Sequence, residues 1–145
     1  MLLNRQNSII TDILGDNSNI LMVTGEYHVE GFTELHPING FSSIKQFSFI
    51  DLDNIDLHKL NSDEYEQGQV YKPMFSKAIW SKDNFDDILR DIAQDNVRVF
   101  FMSVDNDTIV APYDGGVDFV LKDTKTKDNY KNKYRDWLSD RDDGL

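Results

Sequence analysis

Glu26, His28 and Glu30 alternate along one stretch of chain, with Glu34 and His36 close behind. On a strand, residues two apart share a face, so this segment would gather carboxylates and imidazoles on one side. That mixture is the chemistry of a zinc or hard-cation site. The spacing matches no established motif, for there is no HExxH and no histidine pair one helical turn apart. The solvent side of a half-buried strand accounts for the same residues. A metal-binding or enzymatic domain using Glu26, His28, Glu30 and His36 is therefore the alternative reading, and no metal is expected.

Other chemistry is weaker still. Asp105-Asn106-Asp107 and Asp114-Gly115-Gly116 carry oxygen ligands of the calcium type, but the apolar run Thr108–Ala111 separates them. An EF-hand needs one continuous loop with a central glycine and a terminal glutamate. These are turn residues, which tolerate left-handed backbone. Gly115-Gly116 is too short to cradle a phosphate, and no GxSxG elbow holds a serine. The chain has no cysteine, which excludes disulfides, thiolate metal sites and cysteine nucleophiles. The expectation is a protein that is not an enzyme and takes no cofactor.

Charge points elsewhere. Twenty-six acids against 15 bases leave a formal charge of −11. Phosphate backbones repel such a surface, so nucleic acid is not an expected partner. An acidic surface attracts a basic protein and speeds the encounter. The acids concentrate in the middle of the chain, and the expected contact comprises Asp51, Asp53, Asp56, Asp63, Glu64, Glu66, Asp86, Asp87 and Asp91. Bases gather instead near the end, where Lys122, Lys125, Lys127, Lys131, Lys133 and Arg135 face only Asp123 and Asp128. A solvated helix face explains that second cluster.

The elements that must position these residues follow from periodicity. At 145 residues the chain fits one domain, 1–145, with no repeat and no linker. Leu3 to Leu14 predicts a helix stopped by Gly15, and Asn19 to Tyr27 a strand. His28 to Ser43 is irregular. Lys45 to Leu52 alternates as a strand does, and Asp53 to Gln69 reads as loop or irregular helical turn. Tyr71 to Ser81 holds a strand from Phe75 onward. Phe85, Ile88, Leu89 and Ile92 form the buried stripe of a helix opening at Asp83. Val97 to Val104, Thr108 to Ala111 and Val117 to Leu121 make a meander of strands. Thr124 to Asp140 is the last helix, with Tyr130, Tyr134 and Trp137 on one face. Ten aromatics, among them Tyr65, Trp80, Phe85, Phe101, Tyr113 and Trp137, are expected in the core. The pattern predicts an α+β fold, an antiparallel sheet flanked by helices at both ends. No stretch is apolar enough for a membrane span, and the start MLLNRQNSIITDILG lacks the shape of a signal peptide, so a cytoplasmic protein with no membrane partner is expected.

The C-terminal third resembles an uncharacterised bacterial domain family. The residues that carry the likeness are Phe100-Phe101, Ile109, Tyr113-Asp114, Gly116, Asp118 and the helical set Tyr130, Tyr134 and Trp137. The family turn carries an acid and an arginine before its glycine, whereas this chain has Gly115. The resemblance implies a compact domain of the kind encoded beside bacterial toxins, where such proteins act as immunity factors. The first expectation is thus a binding module, an acidic immunity or inhibitor protein neutralising a basic toxin domain such as a nuclease. A self-associating structural or regulatory module is a further alternative, and the sequence leaves the oligomeric state open.

Overall fold

A computed structural model describes residues 2–29, 31 and 41–138. Helix α1 (Leu2–Leu14) leads into β1 (Ser18–Val29). The one-turn α2 (Ser42–Lys45), β2 (Ile50–Asp51), β3 (Ile55–Asp56) and one-turn α3 (Leu57–Leu60) follow. Then come β4 (Gln69–Trp80), α4 (Asp86–Ala93), β5 (Phe100–Ser103), β6 (Thr108–Pro112), β7 (Val117–Val120) and α5 (Thr124–Lys133), ending in a 3-10 turn at Arg135–Trp137. The strands form one antiparallel sheet in the order β2-β4-β1-β5-β6-β7, with β3 also on β4. This is the α+β architecture expected, with helices at both ends.

Local chemistry sets the boundaries. Gly15 takes φ +88° and its N–H closes α1 on the Thr11 carbonyl at 2.8 Å, a left-handed stop that glycine adopts without strain. The helix expected at Asp83 begins three residues later. Asp83 has φ 68° and gives its N–H to Asn7 Oδ1 at 3.1 Å, so it belongs to a turn rather than a helix. The strand expected over Lys45–Leu52 shrinks to Ile50–Asp51. Ile44 must reach the core, and a helical turn, with Lys45 N–H on the Phe41 carbonyl at 3.2 Å, carries it there.

Strand β4 is longer than expected because it runs straight through Pro73. A strand residue points its N–H and C=O to the same side. The Pro73 carbonyl accepts from Leu52 N at 2.9 Å, so the missing donor faces the gap between β2 and β3, where no ladder needs it.

The core lies on one face of the sheet only. Burial alternates along β1, where Ile20, Met22 and Thr24 are buried and their neighbours are not. Helices α1, α2 and α4 lie on that buried side through Ile10, Leu14, Ile44, Ile88, Leu89 and Ile92. At its centre Trp80 stacks on Phe85 at 4.9 Å, and Phe101 meets both edge-on at 5.3 and 5.6 Å. The Trp80 indole donates to Thr11 Oγ1 at 3.0 Å, which satisfies its one polar atom.

Helix α5 docks differently, for it buries no residue fully. Its tyrosines are bonded to α1, and Tyr130 also packs against the core. Asp12 accepts from Lys133 Nζ at 2.6 Å and Tyr134 Oη at 2.8 Å, while Tyr130 Oη donates to the Asp12 carbonyl at 3.1 Å. Partial burial pushes the Asp12 carboxyl up, but the Lys133 and Tyr134 hydrogen bonds and the Lys133 charge outweigh it, leaving Asp12 below its ordinary 3.8. Burial, then the hydrogen bond to Asp12, raises the Tyr134 phenol, which stays a donor at neutral pH.

Two outcomes follow from this arrangement. Trp80→Ala should cost about 3–5 kcal/mol of stability, read by urea unfolding. A depressed carboxyl stabilises the fold above its unfolded pKa and loses that contribution as pH falls through the folded one. Acid below pH 3.8 should therefore loosen α5 first, seen as a change in Trp137 emission before the far-UV signal of the core is lost. Asp12→Asn should show the same loosening at neutral pH, at a cost on the order of 1 kcal/mol.

Candidate functional site

The nine expected contact acids fall into two groups. Asp51, Asp53, Asp56, Asp63, Glu64 and Glu66 lie along the β2–β3–α3 edge and the turn that follows. Asp56 is partly spent there, capping α3 at Lys59 N (3.2 Å), and Glu64 accepts from Asn61 at 3.2 Å. Asp51, Asp53, Asp63 and Glu66 are exposed and take no ion pair among the described residues. Asp86, Asp87 and Asp91 sit on α4, in the helical layer, and have structural partners. Asp86 accepts from Asn7 at 2.6 Å, Asp87 pairs with Arg90 at 3.1 Å, and Asp91 accepts from Ser43 and from Asn96. No hydrogen bond or ion pair joins the two groups among the described residues.

Of the alternative metal set, Glu30 and His36 lie outside the described residues, as does Glu34. Glu26 and His28 do share one side of β1, opposite Lys72 and Val70 of β4. Glu26 is buried and engaged with a neighbour, and His28 Nδ1 is buried without a hydrogen-bond partner among the described residues. The third histidine, His58, is spent on the Tyr65 carbonyl, 2.6 Å from its Nδ1. Among the described residues no three His, Asp or Glu side chains converge as a metal would require.

The feature that periodicity did not single out is the second face of the sheet. Register places Val120, Ile109, Met102, Leu21 and Lys77 in one row across five strands. Phe100, Val23, Phe75 and Ile50 line the next row, and past the Gly25–Pro73 pair comes a row of Tyr27, Tyr71 and Ile55. None of α1, α2 and α4 lies on this side. Val104 is 67% exposed, Val120 61%, Ile79 59% and Ile50 56%, whereas Met22 and Phe101 on the other face are at 0%. Single exposed apolar side chains are ordinary, but a contiguous apolar sheet face marks an interaction surface.

Two devices keep this face regular. The Tyr71 ring lies over Gly25, where an added Cβ would come within 2.3 Å of it. Tyr27 packs on Tyr71 at 4.9 Å. Burial, then the neighbouring Tyr27, raises the Tyr71 phenol, so Tyr71 adds no charge to the face. Acids stand around it instead, with Asp53 in the β2–β3 link, Asp105 and Asp107 in the β5–β6 turn, and Asp118 on β7, whereas Asp51 and Asp56 alternate with Ile50 and Ile55 onto the other side of the edge. Lys77 and Arg98 are the nearby bases.

The sequence matches the DUF3885 family, a domain of unknown function, over residues 1–142. The chain belongs to that family. Membership reaches well beyond the C-terminal third, so the N-terminal helix and the long β1–β4 pair are part of the DUF3885 domain too. The turn that drew attention closes this domain's last hairpin, with Tyr113 N–H on the Gly116 carbonyl at 2.9 Å and the Tyr113 ring folded over Gly115 and Gly116. No curated protein and no solved structure matches the chain.

The sequence did carry a signal for the missed face. Strands β1, β4 and β5 carry apolar residues at both alternating sets, as a strand between two layers would, and α1, α2 and α4 cover one of the two sides. Val104→Asp and Ile79→Asp should each change stability by less than about 1 kcal/mol while lowering the binding of an apolar dye. A loss near 3 kcal/mol, the cost of charging a packed site, would mean that the face is covered.

Proposed function

We propose that this protein is a non-enzymatic binding module that takes a basic partner protein on the sheet face opposite α1, α2 and α4. The observation that carries the proposal is the apolar centre, Leu21, Val23, Phe75, Phe100 and Met102, set between acidic margins. Apolar centre and polar rim are the anatomy of a protein interface. The centre would supply affinity by desolvation, and the acids would steer a positively charged partner. Like-charged margins repel, so a second copy of this chain, itself at −11, fits the face less well than a basic protein. An immunity or inhibitor protein set against a basic toxin domain is the specific form of this reading. From the acidic middle, Asp53 would border the contact, while Asp51 and Asp56, on the other side of the same edge, would act on the partner at longer range. Asp86, Asp87 and Asp91, already bonded within the helical layer, would stand outside it.

The test is co-expression with the product of the adjacent reading frame. The expected outcome is a one-to-one complex that abolishes the neighbour's toxicity. Combining Ile79→Asp with Val104→Asp should weaken that complex by at least about tenfold, which is 1.4 kcal/mol. Charge reversal at Asp51, Asp53 and Asp56 should slow association at low salt and flatten its salt dependence. A complex indifferent to both sets of substitutions would move the interface off this face. Two soluble proteins that form no complex would remove the immunity reading.

A further inference from the structure

Behind α5 lies a cleft of about 440 Å³ between α1, the edge strand β7 and the last helix. Helix α5 borders it, bonded to Asp12 and packed on the core through the half-buried Tyr130 with no residue fully buried. Ile9 and Phe119 form an apolar floor, and Trp137 a wall. Three cations line it: Arg5, Lys127 and Lys131. None of the three takes a carboxylate partner among the described residues, although the chain carries acids in excess. Lys133 shows the contrast, being bound to Asp12 at 2.6 Å. The Arg5 guanidinium lies 5.5 Å from the centre of the Trp137 ring, which orients it while leaving its N–H groups unspent. Asp118 is the acid among the described lining residues, and it is exposed at the rim.

We infer that this cleft binds a small organic anion with a flat apolar body, its carboxylate or phosphate held by Arg5, Lys127 and Lys131 and its body against Ile9, Phe119 and Trp137. The size lies within the range of small-molecule sites, roughly 300–1,000 Å³, which combine mostly apolar walls with a few converging polar groups. A fork of guanidinium N–H groups suits a planar anionic head, and lysines add charge without fixed geometry. Three cations against one carboxylate make the cleft a positive site on a negative protein, and a low-dielectric floor strengthens that attraction. The cleft adjoins β7, where Asp118 borders both it and the partner face, but its cations and apolar floor take no part in the binding-module reading.

The test uses the full chain, labelled with nitrogen-15, titrated with 1-naphthoate and with the uncharged 1-naphthamide. Naphthoate should shift the Trp137 indole and the Arg5 signals in a saturable way and leave Ile79 and Val104 unmoved. The amide should bind about tenfold more weakly, as should naphthoate to the Arg5→Gln, Lys131→Gln double variant. Lys131→Gln alone, at an exposed helix position, keeps the comparison valid should the double variant fold poorly. Equal binding of acid and amide, unchanged affinity in Lys131→Gln and the double variant, or no saturable shift into the millimolar range would each overturn the inference. Shifts confined to the open sheet face would do so as well.

Discussion

Trp80, Phe85 and Phe101 meet ring to ring at the centre of the molecule, and the remainder of the architecture is arranged around that contact. Trp80 ends the long strand β4, Phe85 caps α4 and Phe101 lies in β5. Three elements distant in sequence are therefore joined by apolar burial at one point, and α1 is tied in through Thr11. Because Trp80 and Phe101 project from the same side of the sheet and Phe85 meets them from the helical layer, the helices gather on that side. The sheet gains a helical layer on that face and none of α1, α2 and α4 on the other. Each aromatic pair adds little, about 0.5–1.5 kcal/mol beyond its area, but their position decides which side of the sheet is interior.

Much of the fold was legible. The apolar spacing of Ile88, Leu89 and Ile92 marks α4, and the turn residues Asp105-Asn106-Asp107 mark the β5–β6 hairpin. What was illegible depended on partners far along the chain. Nothing local in Asp83 says that Asn7, 76 residues away, will hold its N–H in a turn. The alternation of Phe47 and Phe49 reads equally well as a strand or as an irregular segment dropping two rings onto the core. Tyr65 and Tyr113 were grouped with core aromatics, yet each is half-buried in a local turn, since aromatic type alone does not say which side of a chain is enclosed.

The binding surface was harder to read than the fold. Charge is visible in composition, so the acidic middle stood out. The second face is invisible until strands are paired, because Val120, Ile109, Met102 and Leu21 become neighbours only through register. Pairing also divides the acids. Those on α4 serve helix packing, while Asp53 and, on β7, Asp118 border the apolar rows. The cationic cleft has the same origin, since Arg5 and Lys131 are 126 positions apart (131 − 5) and meet only when α5 returns to α1.

The way α5 is fastened has a kinetic consequence. A helix with no fully buried residue, held by one carboxylate and a ladder of tyrosines, can detach without disturbing the rings at the centre. Opening of that kind is a separate cooperative unit, with its own free energy below the global one. Amide protons of α5 would then exchange with solvent through local opening, while those of β1 and β4 wait for global unfolding. A protease would find its first cut near Tyr134 rather than in the sheet, and the shortened chain would still be folded around Trp80.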